Sequence, residues 1–423
     1  MMKPLRILAC LLIFLPSAAL AQGSTATTPD DDVSARVEHV LTTTPLIDGH
    51  NDLPWAIRTH FGNIDNIDLA ADTSNLRGKT GDGVSKVSLD TDIRRLRAGH
   101  VGAQFWSVWV PPKFAGPKAV KVTLEQIDIV RNMVARYPRT FEMAYTADDI
   151  ERIHKAGRIA CLIGLEGGHQ IDNSLAVLRE MYVLGARYMT LTHWKNTDWA
   201  DSANDKPEHD GLTAFGRAVV HEMNRLGMLV DLSHVSPATM RDALKASEAP
   251  VIFSHSSARA LVDNPRNVPD DVLRMVKNNH GIVMVNFYPP FISEAGTQWS
   301  AEHAGASARF DELYSGQPDR ARAAFEKWEH EHPRPKATID MVADHIEHIR
   351  KIAGVESVGI GSDFDGIGVT PVGLDGVDKY PALFEELARR GWTDDELADL
   401  AGRNLLRVMR EAEAVAKRLQ TEE

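Results

Sequence analysis

Histidines and carboxylates follow the apolar runs of this sequence at the points where the runs end. Because a parallel barrel brings the carboxyl ends of distant strands together on one face, such side chains are expected to meet there. Imidazole and carboxylate groups gathered in this way bind borderline metals such as zinc. The pattern therefore predicts a metal site at the mouth of a barrel. The residues that end these runs are His50 and Asp52, Glu166, His234, His255 and Asp363.

His50 and Asp52 stand two residues apart after the first run. In an extended chain, side chains with this spacing point the same way, so both can reach one ion. The alternative is a polar turn after a strand. Glu166 ends another apolar run, where a carboxylate is costly unless it is paired or binds a metal. Its two oxygens could bridge two cations, although a capping or ion-paired glutamate is the alternative.

His234 and His255 end consecutive strand patterns that one short helical pattern separates. That spacing predicts that they are neighbours on the barrel rim, and together with His50 they form a ligand set. Either one alone would more often be a hydrogen-bonded core histidine. His193 ends a further apolar run and is interpreted either as a ligand or as a hydrogen-bond donor to a substrate.

The composition excludes several classes of protein. The net charge of the 423 residues is −12 and is spread along the chain, which argues against binding to nucleic acid or to anionic membranes. His221 and Glu222 lack the second histidine of an HExxH zinc helix. The sequence also has no glycine-rich phosphate loop and no G-x-S-x-G motif, so a serine nucleophile is not supported.

The N-terminus has the pattern of an export signal. Lys3 and Arg6 precede an apolar run over 7–15, and residues 19–21 have the small-x-small form that signal peptidase cleaves. We therefore expect a signal peptide over 1–21 and an exported protein, periplasmic or secreted, without a membrane anchor after cleavage.

Strand patterns alternate with helical patterns through the rest of the chain. Eight strands are predicted, over 46–50, 103–110, 159–166, 188–193, 228–234, 251–255, 282–287 and 358–363. This alternation predicts an α/β fold of the (β/α)8 TIM type, and a doubly wound sheet is the alternative.

The barrel domain is expected to span 37–411, between a disordered leader over 22–36 and a charged C-terminal tail over 412–423. Two segments interrupt the alternation. The segment 63–92 is rich in Gly, Asp and Ser and is predicted to form a long loop above the first strand. The segment 293–336 is predicted to be a helical insertion before the last strand, which would serve as a lid or an oligomer contact.

At these residues the chain resembles the membrane (renal) dipeptidase family, binuclear zinc dipeptidases of the amidohydrolase-like barrel group. The likeness runs from about residue 37 to residue 409, apart from the insertion. The motifs that carry it are Ile47-Asp48-Gly49-His50-Asn51-Asp52, Glu166-Gly167-Gly168-His169, Leu191-Thr192-His193, Phe253-Ser254-His255-Ser256-Ser257-Ala258, Arg266-Asn267-Val268-Pro269-Asp270-Asp271 and Gly361-Ser362-Asp363-Phe364-Asp365-Gly366.

The resemblance implies two Zn²⁺ ions per subunit. His50 and Asp52 would bind one ion, His234 and His255 would bind the second, and Glu166 would bridge both. Two ions that share a water lower its pKa, and the resulting hydroxide would attack the peptide carbonyl.

The resemblance also implies roles around the metals. His193 would contact the scissile carbonyl, Arg266 would bind the terminal carboxylate of the substrate, and Asp363 would transfer protons, with Asp365 as the competing candidate. A guanidinium recognises a carboxylate through two hydrogen bonds. The alternative for Arg266 is an ion pair with Asp270 or Asp271.

The predicted function is therefore an exported dipeptidase, with membrane dipeptidase activity on small dipeptides that have a free C-terminal carboxylate. The resemblance implies tolerance of a D-residue at the second position. The alternatives are a barrel amidohydrolase that acts on N-acyl amino acids or β-lactams, and a non-catalytic metal- or peptide-binding protein. A homodimer is compatible with the sequence, but the lipid anchor and disulfides of vertebrate relatives are not carried over.

Overall fold

The computed structural model describes residues 29–81 and 83–422, and its described strands include a closed parallel barrel. The strands are β1 (Leu46–Asn51), β2 (Leu76–Thr80), β3 (Gly83–Val87), β4 (Val101–Trp109), β5 (Phe141–Met143), β6 (Ile159–Glu166), β7 (Ala186–Thr190), β8 (Leu229–Asp231), β9 (Ile252–Phe253), β10 (Ile282–Val285) and β11 (Val358–Ile360). Neighbouring barrel strands follow the order β1, β4, β6, β7, β8, β9, β10 and β11, and β11 pairs back with β1. The predicted (β/α)8 barrel is thus confirmed.

The barrel strands are buried on both sides, which explains their nearly continuous apolar sequences. All eight residues of β6 are buried, for example. Strands of a parallel barrel need such sequences because helices cover the outer side and side chains fill the interior. Phe105, Leu162, Tyr188 and Met284 belong to one buried cluster that fills the interior.

Helices follow the strands and begin at good capping residues. Ser236 accepts a hydrogen bond from the Thr239 amide just before Pro237, and Thr393 and Glu396 form a capping box. The helices are α1 (Pro29–Thr43), α2 (Leu53–His60), α3 (Ile93–Ala98), α4 (Pro117–Arg136), α5 (Ala147–Lys155), α6 (Leu175–Val183), α7 (Ala214–Leu226), α8 (Pro237–Ala246), α9 (Asp270–Asn279), α10 (Pro289–Ile292), α11 (Glu294–Leu313), α12 (Pro318–Glu331), α13 (Ile339–Ala353), α14 (Tyr380–Arg389), α15 (Asp394–Ala398) and α16 (Asn404–Glu422).

One of the two interrupting segments has more structure than the sequence pattern suggested. The segment 63–92 is not a plain loop, because β2 and β3 form an antiparallel hairpin within it. The segment 293–336 contains the helices α11 and α12, as predicted for a helical insertion before the last strand.

Helices extend beyond both ends of the domain predicted over 37–411. Helix α1 begins at Pro29, so the second part of the leader predicted over 22–36 is helical, whereas 22–28 and the signal peptide over 1–21 lie outside the described residues. Residues 412–422 of the predicted tail belong to α16, which buries Ala412, Ala416 and Leu419. Their spacing puts them on one helix face, which packs against the barrel.

The carboxyl end of the barrel is narrow beneath the predicted site. A Cβ atom built on Gly361 would lie 1.9 Å from the carbonyl oxygen of Ser254, which belongs to the backbone and cannot rotate away. A Cβ atom on Gly49 would lie 2.8 Å from the same oxygen. Glycine at these positions lets the ends of β1, β9 and β11 approach each other. None of the described helices has the length and hydrophobicity that a bilayer span requires.

Gly361→Ala is expected to lower the free energy of unfolding by about 1–3 kcal/mol, because the new methyl group forces two barrel segments apart. Gly305→Ala is the matched control, since open space surrounds that helical glycine. It should raise the stability by about 1 kcal/mol through helix propensity. Denaturant unfolding of both variants measures the difference, and equal stability of Gly361→Ala and the wild type would contradict the close approach.

Candidate active site

Glu166, the last residue of β6, lies at the centre of a group of imidazoles. Its Oε1 atom lies 3.0 Å from Nε2 of His234 and 3.4 Å from Nε2 of His193. The distance from Oε1 to Nε2 of His255 is 3.5 Å, and Oε2 lies 3.4 Å from Nε2 of His50. The carboxylate is 4% exposed. The ends of five different strands therefore converge on one buried carboxylate.

Two further contacts complete the arrangement of potential ligands. Nε2 of His50 lies 3.4 Å from Oδ2 of Asp52, and Nε2 of His234 lies 2.9 Å from Nε2 of His255. Asp363 joins His50 and Asp52 in a group whose ligand atoms all lie within 4.8 Å of one another. Glu166 belongs to two other groups of this kind, one with His50 and His255 and one with His193 and His234.

In His50 and His255, the Nδ1 atom has a hydrogen-bond partner, which leaves Nε2 free to bind a metal. The Ser254 hydroxyl donates to Oδ2 of Asp231 at 2.6 Å, so it accepts from Nδ1 of His255 at 2.8 Å. The Tyr188 hydroxyl donates to the carbonyl of Gly49 and lies 2.8 Å from Nδ1 of His50. Protonation of Nδ1 places a lone pair on Nε2, as in most metal-binding histidines.

His193 has the opposite arrangement. The indole N–H of Trp109 donates to Nδ1 of His193 at 3.3 Å, so the ring proton of the neutral imidazole lies on Nε2. Nε2 of His193 therefore offers an N–H to the site, whereas Nε2 of His50 and of His255 offers a lone pair. This geometry assigns His193 to hydrogen bonding rather than to metal binding.

The donor set fits a metal centre. Nε2 of His50 is buried and has no hydrogen-bond partner among the described residues. Burial holds the pKa of His234 and of His255 well below the usual value, which keeps both imidazoles neutral. Burial alone would raise the pKa of Glu166, but the neighbouring His50 and His193 outweigh it and hold that pKa well below the usual value. Burial alone would lower the pKa of His50, but Tyr188, Glu166 and Asp52 outweigh it and hold that pKa well above the usual value, so a metal ion at His50 would displace a proton. Neutral imidazoles and an ionised carboxylate are the forms that bind cations.

Asp363 is the carboxyl group best placed to carry a proton. Burial, with the nearby charges of Asp52 and Glu166, raises the pKa of Asp363 to about 8. The side chain of Asn286 donates to its Oδ2 at 2.9 Å, which leaves Oδ1 for the proton. Burial and Asp90 also raise the pKa of Asp365 to about 8. Asp365, however, is engaged by Asp90, whose amide donates to its Oδ1 at 2.8 Å.

Three of the site residues have strained backbones. The φ angles of His234, Asp363 and Asp365 are 66°, 69° and 63°, in the left-handed region that non-glycine residues seldom adopt. Strands β8 and β11 end at Asp231 and Ile360, before the predicted ends at 234 and 363. Such strain is found where a side chain must be aimed at a functional site.

Arg266 is a buried cation without an acidic partner in the described structure. Its guanidinium donates to the hydroxyl of Ser256 at 3.3 Å and to the carbonyl of His255 at 3.2 Å, and its Nε has no partner among the described atoms. The ion pair considered from the sequence is wrong. Asp270 pairs with His348, and Asp271 pairs with Arg241.

These groups line one cavity of about 380 Å³, a volume suited to a small ligand. Its polar lining comprises Asp52, Glu166, His193, His234, Arg266, Asp363 and Asp365, and its aromatic lining comprises Trp55, Trp109, Trp194, Tyr288 and Phe291. One side of this small cavity thus contains a guanidinium without an acidic partner in the described structure, and the rest of its polar lining consists of carboxylates and imidazoles. The geometry favours a short ligand with a carboxylate at one end.

The sequence analysis missed the residues that hold the ligands in place. Tyr188 and Ser254 set the orientation of two imidazoles, and Ser107 donates to Oε2 of Glu166 at 3.0 Å. A signal was present in the sequence, because each is a polar residue inside an apolar strand or beside its end. Trp109 gave no comparable signal, since an aromatic residue at the end of a buried strand is ordinary core.

Comparison with known proteins points to one family. The family model described as membrane dipeptidase (peptidase family M19) matches residues 34–423. An uncharacterized dipeptidase of Schizosaccharomyces pombe is 42% identical over 95% of this chain and 88% of its own length. Dipeptidase 3 of Rattus norvegicus is 44% identical over 88% of this chain, and the match spans 66% of the rat protein.

A solved structure shares the fold. The probable dipeptidase PvdM from Pseudomonas aeruginosa has a TM-score of 0.74 at 23% identity, with 91% of this chain and 99% of that chain covered. Together, the family match and the curated relatives confirm the predicted enzyme class, a metallo-dipeptidase. The chain belongs to the membrane dipeptidase family, peptidase family M19.

Proposed function

We propose that this protein is an exported binuclear zinc dipeptidase that hydrolyses dipeptides with a free C-terminal carboxylate. One observation carries the proposal: the buried carboxylate of Glu166 lies within 3.5 Å of four imidazoles from separate strands. A lone carboxylate with this many nitrogen neighbours fits a bridge between two cations better than any hydrogen-bonded arrangement. Export rests on the signal pattern over 1–21, outside the described residues.

His50 and Asp52 would hold one zinc ion, His234 and His255 would hold the other, and Glu166 would contact both. This division follows the contacts between His50 and Asp52 and between His234 and His255. When bound, a pair of such ions lowers the pKa of water and polarises the substrate carbonyl.

His193 and Asp363 would act on the substrate. The N–H at Nε2 of His193 can donate to the carbonyl oxygen of the scissile bond, where negative charge develops. Trp109 keeps that proton on Nε2 by occupying Nδ1. Asp363 can pass a proton from Oδ1 to the leaving amine, and burial together with the charges of Asp52 and Glu166 favours the protonated form of this carboxyl group by raising its pKa.

Arg266 would select the substrate. A buried guanidinium gains most from a carboxylate that it can bind through two hydrogen bonds. The hydrogen bond from this guanidinium to the carbonyl of His255 holds it close to the reacting centre. A carboxylate only one residue beyond the cut would therefore be preferred. Tolerance of a D-residue at that second position is implied by the family, and N-acyl amino acids and β-lactams also carry the required carboxylate.

A substrate panel with the zinc-loaded full chain tests this function. L,L-dipeptides and L,D-dipeptides should be hydrolysed, and both should outperform N-acyl amino acids and β-lactams in kcat/KM. Rapid acyl amino acid turnover without dipeptide turnover would instead favour the amidohydrolase alternative.

Asp52→Ala should reduce the zinc content from about two ions to about one per chain and lower kcat by at least about a hundredfold, because one ion loses its carboxylate ligand. Elemental analysis and dipeptide turnover measure both effects. Asp311→Ala, which removes an exposed carboxylate from α11, is the control and should change neither quantity. A full zinc content in Asp52→Ala would contradict the ligand assignment.

Arg266→Ala should raise KM for dipeptides by at least about thirtyfold, since the carboxylate of the substrate loses its buried partner. Substrate amidation provides a second route to the same loss. The wild type should prefer alanylalanine to its C-terminal amide, whereas the variant should have lost most of that preference. If the variant discriminates between acid and amide as strongly as the wild type, Arg266 is not the carboxylate anchor.

A further inference from the structure

Trp194 is an exposed aromatic residue at the edge of the active-site cavity. It is 40% exposed, although it directly follows His193, and it lines the cavity. Its ring stands edge-on to His193 and to His234, with centroid distances of 5.2 and 5.1 Å. Because this apolar surface lines the cavity beside the reacting groups, it is available to a bound ligand.

The loop that carries Trp194 is held rigidly. The hydroxyl of Ser202 donates to the carbonyl of His193 at 2.5 Å, and the Ser202 amide donates to the side chain of Asn196 at 2.8 Å. Farther along the loop, the buried carboxylate of Asp201 accepts from the amides of Glu208, His209 and Gly211. The loop backbone that carries Trp194 is therefore preorganised, which lowers the entropy cost of binding a ligand against its ring.

Two more tryptophans lie on the same side of the barrel. Trp55 follows β1, Trp109 ends β4, and Trp194 follows β7, so all three belong to the half of the barrel formed by β1, β4, β6 and β7. The rings of Trp55 and Trp109 pack edge to face at 4.7 Å, and the ring of Trp109 lies 5.4 Å from that of His193. The tryptophans thus surround His193 from two sides.

The anchor for the substrate carboxylate lies on the other half. Arg266 follows β9, and its guanidinium lies 5.2 Å from the ring of Phe291, which follows β10. If Arg266 holds the C-terminal residue of a dipeptide and His193 contacts the scissile carbonyl, then the N-terminal residue lies toward the tryptophans. This step rests on the proposed function.

We propose that Trp194, with Trp55 and Trp109, forms an aromatic wall that receives the side chain of the N-terminal residue. The substrate class is then dipeptides whose first residue has a bulky apolar or aromatic side chain. Each such side chain removes apolar surface of Trp194 from water, and that gain is absent when the first residue is glycine.

Two substrate pairs test the wall in the zinc-loaded full chain. In the wild type, kcat/KM should be higher for phenylalanylglycine than for glycylglycine. In Trp194→Ala, this ratio should fall by about tenfold, because the apolar contact is lost. The ratio between glycylphenylalanine and glycylglycine should stay within about twofold of the wild-type ratio, since the second residue lies on the Arg266 side.

Two variants separate side-chain recognition from damage to the fold. Trp194→Phe retains an aromatic ring and should retain most of the preference for phenylalanylglycine. Leu313→Ala removes an exposed apolar side chain from α11, outside the cavity lining, and should leave both ratios unchanged.

The outcomes distinguish the wall from the function on which it rests. If Trp194→Ala lowers kcat/KM equally for all three substrates, or alters the second-position ratio instead, the wall is overturned while the dipeptidase function stands. If the wild type hydrolyses no dipeptide at all, both proposals are overturned.

Discussion

The whole site depends on the burial of one carboxylate. Glu166 ends a strand in which every residue is buried, so its charge has lost most of its hydration. An isolated buried carboxylate is strongly unfavourable, and it is tolerated only when positive or metal-bound groups surround it. The four imidazoles, each of which reaches Glu166 from a different strand end, would supply that surrounding together with the cations that they bind. Any rearrangement of the barrel that separated these strands would leave the charge uncompensated.

Buried polar residues behind the ligands hold this arrangement. Asp231 accepts hydrogen bonds from Thr190 and Ser254, and Ser254 in turn orients His255. Asp48, within β1, has a comparable role, because its carboxylate accepts a hydrogen bond from the hydroxyl of Ser362, the residue before Asp363. These chains tie neighbouring strands together at the level of the site. The interior of the barrel therefore contains these polar residues at its carboxyl end, where the site lies. Their hydrogen bonds fix the orientation of the imidazole rings.

The sequence was sufficient to predict the barrel and the convergence of its ligands. Both signals are local: the apolar runs define the strands, and His50, Glu166, His234 and His255 stand at their ends. The extent of each strand was harder to predict, because β8 ends at Asp231 although the apolar pattern continues to Leu232 and the chain takes a left-handed turn only at His234. The start of helix α1 was missed because it lies in a polar stretch, and the stability of the helix comes from the packing of Val37, Val40 and Leu41 in the core. It could not be predicted either that Arg266 lines the cavity without an acidic partner among the described residues. Asp270 and Asp271 lie close to it in sequence, but they pair with His348 and Arg241.

The central claim is that Glu166 joins two metal ions, and anomalous diffraction from crystals of the zinc-loaded protein tests it most directly. The account predicts two zinc peaks about 3.5–4 Å apart, each about 2.0–2.2 Å from an oxygen of Glu166. One peak should also contact His50 and Asp52, and the other should contact His234 and His255. A single peak, or a pair of peaks that does not share Glu166, would contradict the account.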